Sequence, residues 1–282
     1  MSKADLLALL AFAATPTFAA PVDPAPVVAA ERAFAADGLA LGVRDSFLKH
    51  SAPEAIVFGP DVQKVHETFP KQDPDKGGPP LVWWPLWEGI ARSGDLGFTS
   101  GPYSFDGKPG GYYFTVWKRQ PGGSWKWIYD GGPPSSPVGA APQGSPPAYL
   151  PVSTTKGKYP ESAFADVRMA EAKLAAAAKV DVASAYKPVL IPGARVAGSR
   201  AAPGNTSEAQ AAELATRTKT LDFSPPQGGE VSVAGDFAWT YGDAAWVRDG
   251  QARQGHYVRI WQLGPKGWGL AYDLLLASPP KA

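Results

Sequence analysis

Two Tyr-Asp pairs, Tyr129-Asp130 and Tyr272-Asp273, stand at the ends of aromatic stretches of this 282-residue chain. A carboxylate set among apolar side chains has its charged form penalised, so its pKa climbs towards neutrality and it can accept a proton from carbon. A Tyr opposite would stabilise the oxyanion that develops. Asp130 and Asp273 are therefore candidate general bases. A carboxylate at a strand end has a commoner duty, which is to cap a turn, as before Gly131, or to pair with a neighbouring Arg. Asp95 and Asp236 each follow a Gly at a strand start and read as turn formers.

The second group of candidates is aromatic: the chain holds ten Trp, ten Tyr and twelve Phe. Strand alternation puts Tyr113, Thr115 and Trp117 on one face, and Tyr257, Arg259 and Trp261 on the matching face of a second strand. The same rule groups Trp125, Trp127 and Tyr129, and Trp268, Leu270 and Tyr272. Such faces form sheet core and domain contacts, or line a pocket for a planar or apolar ligand. The candidate ligand-binding set is Tyr113, Trp117, Tyr129, Asp130, Tyr257, Arg259, Trp261, Tyr272 and Asp273. On an inward face Arg259 needs an anionic partner, either Asp273 or the carboxylate of a ligand. On an outward face it meets solvent or the other domain. The run Trp83-Trp84-Pro85-Leu86-Trp87 is too aromatic for a free loop and reads as cover for a pocket mouth or for the other domain.

Much chemistry is excluded. Cysteine is absent, which removes thiolate catalysis, disulfides and Cys-ligated metals. The histidines His50, His66 and His256 are far apart and show no metal-ligand spacing, so no metal is expected. No nucleophile elbow, phosphate loop or dinucleotide fingerprint occurs, and no cofactor is expected. Net charge is +1, which gives no reason to expect nucleic acid as a partner.

The elements that hold these residues are repeated. Gly94 to Gly101 reads against Gly235 to Gly242, Gly111 to Trp117 against Gly255 to Trp261, and Trp125 to Asp130 against Trp268 to Asp273, at offsets of 141 to 144. The Pro- and Gly-rich stretch 132–160 reads as a linker between domains at 20–131 and 161–282. In the first copy, helical spacing runs through Val27, Ala30, Phe34, Leu41 and Phe47, with Gly38 and Gly42 loosening the middle. A hairpin turns at Gly59-Pro60-Asp61. The second copy opens on a helix from Phe164 to Lys179, with an extra helix from Glu208 to Arg217 marked by Ser207 and Gln210 as a capping box. Strands fill the rest of each copy. The expected class is α+β: two cone-shaped domains, each with N-terminal helices packed on a curved antiparallel sheet.

Residues 1–19 have the layout of a signal peptide: Lys3, an apolar run from Leu6 to Ala14, then small residues with a cut after Ala19. A secreted or periplasmic protein is expected, with no membrane span after processing.

The repeated Gly-Asp-(Leu/Phe)-(Gly/Ala)-(Phe/Trp)-Thr, Gly-x-Tyr-x-x-(Val/Ile)-Trp and Trp-x-x-x-Tyr-Asp blocks resemble the nuclear transport factor 2-like (ketosteroid isomerase-like, SnoaL-like) superfamily, in its exported branch. Ala30 to Ala35 and the Phe58 to Asp61 hairpin share the resemblance. It implies a cone with a pocket at its wide end, and it does not select a reaction. The expected function is an exported, non-catalytic small-molecule-binding protein. The alternative is an isomerase, dehydratase or cyclase acting by proton abstraction. Domains of this kind pair through the outer sheet face, so an internal pseudo-dimer within a monomer is expected.

Overall fold

The computed structural model describes residues 22–74 and 79–278; the signal-peptide expectation lies outside them. The first half opens with α1 (Ala25–Leu41) and α2 (Val43–His50). In α1 the buried residues include Val27, Glu31, Phe34 and Gly38, spaced four, three and four apart, one face of a helix. Gly42, with φ 83°, separates the two helices in a conformation that favours glycine. There follow β1 (Ser51–Phe58), β2 (Val62–Lys64), the single-turn α3 (Val65–Thr68), β3 (Leu81–Trp83), β4 (Trp87–Ile90), β5 (Leu96–Phe105), β6 (Lys108–Arg119) and β7 (Trp125–Gly131). Their sheet runs β2-β1-β7-β6-β5-β4, with β3 also on β5. The connecting segment adds β8 (Ala148–Tyr149), parallel to β4.

The second half repeats the plan. Helices α4 (Pro160–Ala178) and α5 (Val182–Tyr186) precede β9 (Leu190–Ala197), α6 (Ser207–Ala215), β10 (Asp222–Phe223), β11 (Gly228–Val231), β12 (Phe237–Arg248), β13 (Gln251–Gly264) and β14 (Gly267–Ala277). The sheet order is β10-β12-β13-β14-β9, with β11 on β12. The protein is thus α+β with two sheets, each preceded by its helices. Apart from the short β8 on β4, both sheets are antiparallel except at one matched place: β1 lies parallel to β7, and β9 parallel to β14. Each of these strands arrives from a helix rather than a hairpin, so no tight turn dictates an antiparallel partner. The cap of α6 sits one residue earlier than its sequence pattern suggests. Thr206 accepts from Ala209 N, and Gln210 instead donates to Ala194 O.

A repeated irregularity decides which side chains face inward. Between β6 and β7 the register is Val116↔Tyr129 and then Trp117↔Trp127, so Ile128 is an extra residue. Between β13 and β14 it is Ile260↔Tyr272 and then Trp261↔Leu270, with Ala271 extra. A bulge puts the residues before and after it on opposite faces. Trp127 and Leu270 therefore pack under the helices, whereas Tyr129 and Tyr272 point the other way. This corrects the shared faces assigned to Trp127 with Tyr129 and to Leu270 with Tyr272.

The sheets pack against each other through those other faces. Phe98, Phe114 and Tyr129 of the first half share one apolar cluster with Phe237, Trp239 and Tyr272 of the second. Phe114 stacks on Tyr272 with ring centres 4.0 Å apart. The turn carboxylates cross-link the halves reciprocally: Asp95 accepts from Val233 N at 2.9 Å and Asp236 from Arg92 N at 3.2 Å. Each partner is the repeat-related counterpart of the other, which is how an isologous contact is built.

Candidate functional site

Each half encloses a buried glutamate that the strand reading alone does not bring forward. Glu31 of α1 is 0% exposed and accepts from Trp83 Nε1 at 2.6 Å, from Trp117 Nε1 at 3.1 Å and from Thr99 Oγ1. Glu171 of α4 accepts from Thr240 Oγ1 at 2.6 Å and from Trp261 Nε1 at 2.7 Å. The Glu-Thr-Trp arrangement is thus the same in both copies. Its signal in the sequence is a charge on an apolar stripe: Val27-Glu31-Phe34 and Val167-Glu171-Leu174 share one spacing.

The first interior keeps open space. A cavity of about 170 Å³ is lined by Phe34, Leu81, Trp83, Tyr103, Tyr113 and Asp130, among others. Gly38 makes room for its roof, since a Cβ there would lie 2.4 Å from the Trp83 ring. Asp130 is half-buried on the wall and accepts from Thr115 Oγ1 at 2.6 Å. Burial, helped by the charge of Glu31, pushes its pKa up to about 7. Tyr113 is buried, with Thr99 beside its hydroxyl. Burial, with the charge of Glu31 next, holds its pKa well above the ordinary phenol value. Burial likewise raises Glu31 itself. A second fully buried acid, Glu88 of β4, is raised by burial to about 8, against the lowering effect of a hydrogen bond with Tyr149 and of the Arg32 charge.

The second interior is filled by ions. Arg259 is 0% exposed and takes the matched place of Thr115. Its Nε donates to Asp273 at 2.6 Å, its Nη1 to Glu171, and its Nη2 to the Tyr186 hydroxyl at 3.0 Å. Arg217 Nη2 lies 2.7 Å from the other Asp273 oxygen. Burial pushes Asp273 up, but the two guanidiniums outweigh it and hold the carboxylate below its ordinary range. Arg259 also stacks over Tyr257 and Phe223, at 4.1 and 4.2 Å from the ring centres.

The structure therefore gathers Tyr113, Trp117 and Asp130 in one interior and Tyr257, Arg259, Trp261 and Asp273 in the other, while Tyr129 and Tyr272 lie between the sheets. Asp273 stands inside β14 rather than at its end. Arg217 and Tyr186 complete the ion network from α5 and the loop after α6, where no local pattern marks them. Of the aromatic run, Trp83 roofs the cavity, Trp87 packs between the sheets, and Trp84 Nε1 donates to Ala141 O of the connecting segment at 2.9 Å. Among the described residues no group of three His, Asp or Glu is placed to hold a metal ion. None of the described helices is long and apolar enough to cross a membrane.

No protein-family model matches the chain, and no curated protein matches it. Similar solved structures are nuclear transport factor 2-like or cystatin-like proteins. One is an NTF-2-like protein of unknown function from Shewanella oneidensis, 15% identical over 40% of this chain and 98% of its own, with a TM-score of 0.34. An NTF2-like superfamily protein from Salmonella enterica is 17% identical over 43% of this chain and 95% of its own, TM-score 0.34. An NTF2-like protein with a cystatin-like fold from Novosphingobium aromaticivorans is 17% identical over 43% of this chain and 86% of its own, TM-score 0.33.

Proposed function

We propose that the protein is an exported small-molecule binder whose working pocket lies in the first half, the second half being its closed structural twin. The observation that carries this reading is the pairing of an aromatic-walled cavity with two polar groups on its lining, the Asp130 carboxyl and the Tyr113 hydroxyl. An apolar cavity of about 150 Å³ takes one benzene ring, so this one suits a single ring bearing a hydrogen-bonding substituent. Titrating phenol while following Trp fluorescence tests the idea. Binding should be saturable and should disappear in the cavity-filling variant Leu81→Trp, provided its thermal unfolding stays cooperative. Unchanged binding in that variant overturns the reading. The halves cover each other's sheet faces, so the chain works as a monomer; a stable dimer by light scattering counts against that. Export rests on the sequence of residues 1–19, and an intact mass retaining Met1 in cell-envelope material counts against it.

One observation favours a second reading, proton abstraction from a carbon acid. A carboxyl with a pKa of about 7 is half-ionised at neutral pH, where general bases work best, and the Tyr113 hydroxyl on the same cavity wall can donate to an oxyanion. Hydrogen–deuterium exchange of a small cyclic ketone, followed by NMR, is expected for the wild type and lost in Asp130→Asn. Equal rates in both remove this reading and leave simple binding.

A further inference from the structure

The first-half cavity and a neighbouring groove meet at Asp130. Phe47, Asp130, Gly131 and Gly132 line the cavity and also the groove, which holds about 700 Å³. Two of these four shared residues, Gly131 and Gly132, carry no side chain to stand between the two spaces. Gly132 is required by packing, because a Cβ would fall 2.1 Å from Tyr112 O. The groove lies between the halves: Phe58 and Pro134 line it from one, Arg200 and His256 from the other.

Its two basic side chains differ. His256 is engaged: Nδ1 is 2.9 Å from Asp243 Oδ1, Nε2 is 3.2 Å from Pro60 O, and the ring stacks on Phe58 at 4.5 Å. Arg200 is exposed and, among the described residues, has no carboxylate within ion-pair distance. Its backbone is nonetheless fixed. Arg200 O accepts from Ser136 N at 2.6 Å, and Ser199 N donates to Glu213 at 2.8 Å. A guanidinium held by its main chain at the edge of a partly apolar groove, with no anion of its own, is a recognition element in want of a partner.

We propose that cavity and groove form one elongated site, with an apolar ring beside Trp83 and Tyr113 and a carboxylate tail that passes Asp130 to reach Arg200. The ligand class is an aryl-alkanoic acid. This rests on the first-half pocket being the binding site. It adds that the second half supplies the counter-charge, so the duplication contributes a residue to a site its own interior has closed.

The test compares benzoate, 4-phenylbutyrate and 6-phenylhexanoate with the alcohols of equal length, by calorimetry at low salt, on the wild type, Arg200→Gln and Leu81→Trp. For the longer members the acid should bind the wild type about tenfold tighter than the alcohol. Arg200→Gln should abolish that preference while leaving alcohol affinity unchanged, and added salt should weaken it, as befits an exposed charge. Acids and alcohols binding alike, or a preference that survives Arg200→Gln, overturns the elongated site and leaves the pocket standing. Alcohol binding that persists in Leu81→Trp overturns the pocket itself.

Discussion

The two interiors use one frame in opposite ways. Both hang a buried glutamate from the first helix and satisfy it with a Thr and a Trp from neighbouring strands. In the first half a Trp from β3 completes the set, and among the described residues no guanidinium hydrogen-bonds to the interior acids Glu31, Glu88 and Asp130, only the charge of Arg32 acting on Glu88. In the second, Arg259 takes the place of Thr115, and two arginines balance Glu171 and Asp273. The unbalanced side has raised carboxyl pKa values and a cavity at Asp130; on the balanced side Asp273 is depressed and the Arg259 guanidinium occupies the matched place. An exchange of Thr for Arg at one position of a duplicated fold, supported by Arg217, separates a receptive interior from a locked one. Two other matched positions agree. Gly38, under the Trp83 ring, corresponds to the buried Ala178, and Glu88, paired with Thr99, corresponds to Gly229, paired with Thr240.

The largest expected effect breaks the locked side. Arg259→Ala leaves Glu171 and Asp273 buried with little to balance them, and removing one partner of such a network costs about 3–5 kcal/mol. Thr115→Ala, its counterpart, loses one hydrogen bond and should cost about 1 kcal/mol. Urea unfolding measures both. Equal costs would mean that the ion network does not distinguish the halves.

Next comes pH, where Glu88 and Asp130 of the first interior and Asp273 of the second should act with opposite sign. Glu88 is raised from an ordinary carboxylate value to about 8. Its folded form thus holds a proton that the unfolded chain gives up, and stability falls as pH rises from about 4.5 to 8, then levels. Asp130 adds a loss of the same sign up to about pH 7. Asp273 is depressed, so its contribution is present above the ordinary carboxylate pKa and is lost in acid. Glu88→Gln should therefore unfold less readily than wild type at pH 9, by at most about 4 kcal/mol, since water reaching an ionised carboxylate relieves part of its burial. The advantage should shrink towards pH 4. An advantage that is constant with pH would assign the effect to packing.

The frame of this comparison is legible in the sequence, because duplication writes the strands twice at nearly constant offset and alternation assigns Tyr113, Thr115 and Trp117 to one face. Arg259 with Asp273 as its partner is legible for the same reason. Alternation fails at Tyr129 and Tyr272, since a bulge adds one residue without changing residue types. Glu31 and Glu171 carry a signal, a charge on an apolar stripe, that gains meaning only when both copies show it. Arg217 and the groove at Arg200 carry none: they depend on how a loop and the other half come to lie, which no local spacing records.

A smaller effect tests the roof of the cavity. Gly38→Ala would favour a helix by about 1 kcal/mol on propensity alone. Here the added methyl meets the Trp83 ring at 2.4 Å, and overpacking of this kind costs about 1–3 kcal/mol. The net expectation is mild destabilisation, with weaker phenol binding because Trp83 must shift. A stabilised variant with unchanged binding would show that Trp83 can move without consequence and does not define the cavity.

The smallest effect is the most direct on Asp130. Thr115 donates to this carboxylate and so favours its charged form against the burial that dominates. Thr115→Val keeps the volume and removes the donor. The midpoint, already near 7, should then move up by a fraction of a unit, read by carbon NMR of the Asp130 carboxyl across a pH series. At fixed pH 7 the variant holds more of the neutral acid, so a ligand that donates a hydrogen bond to the carboxylate should bind it less tightly than wild type. A midpoint that stays put would mean that Thr115 serves only to fill space. The one position where the two interiors differ most would then act through size, and not through the bond it makes or withholds.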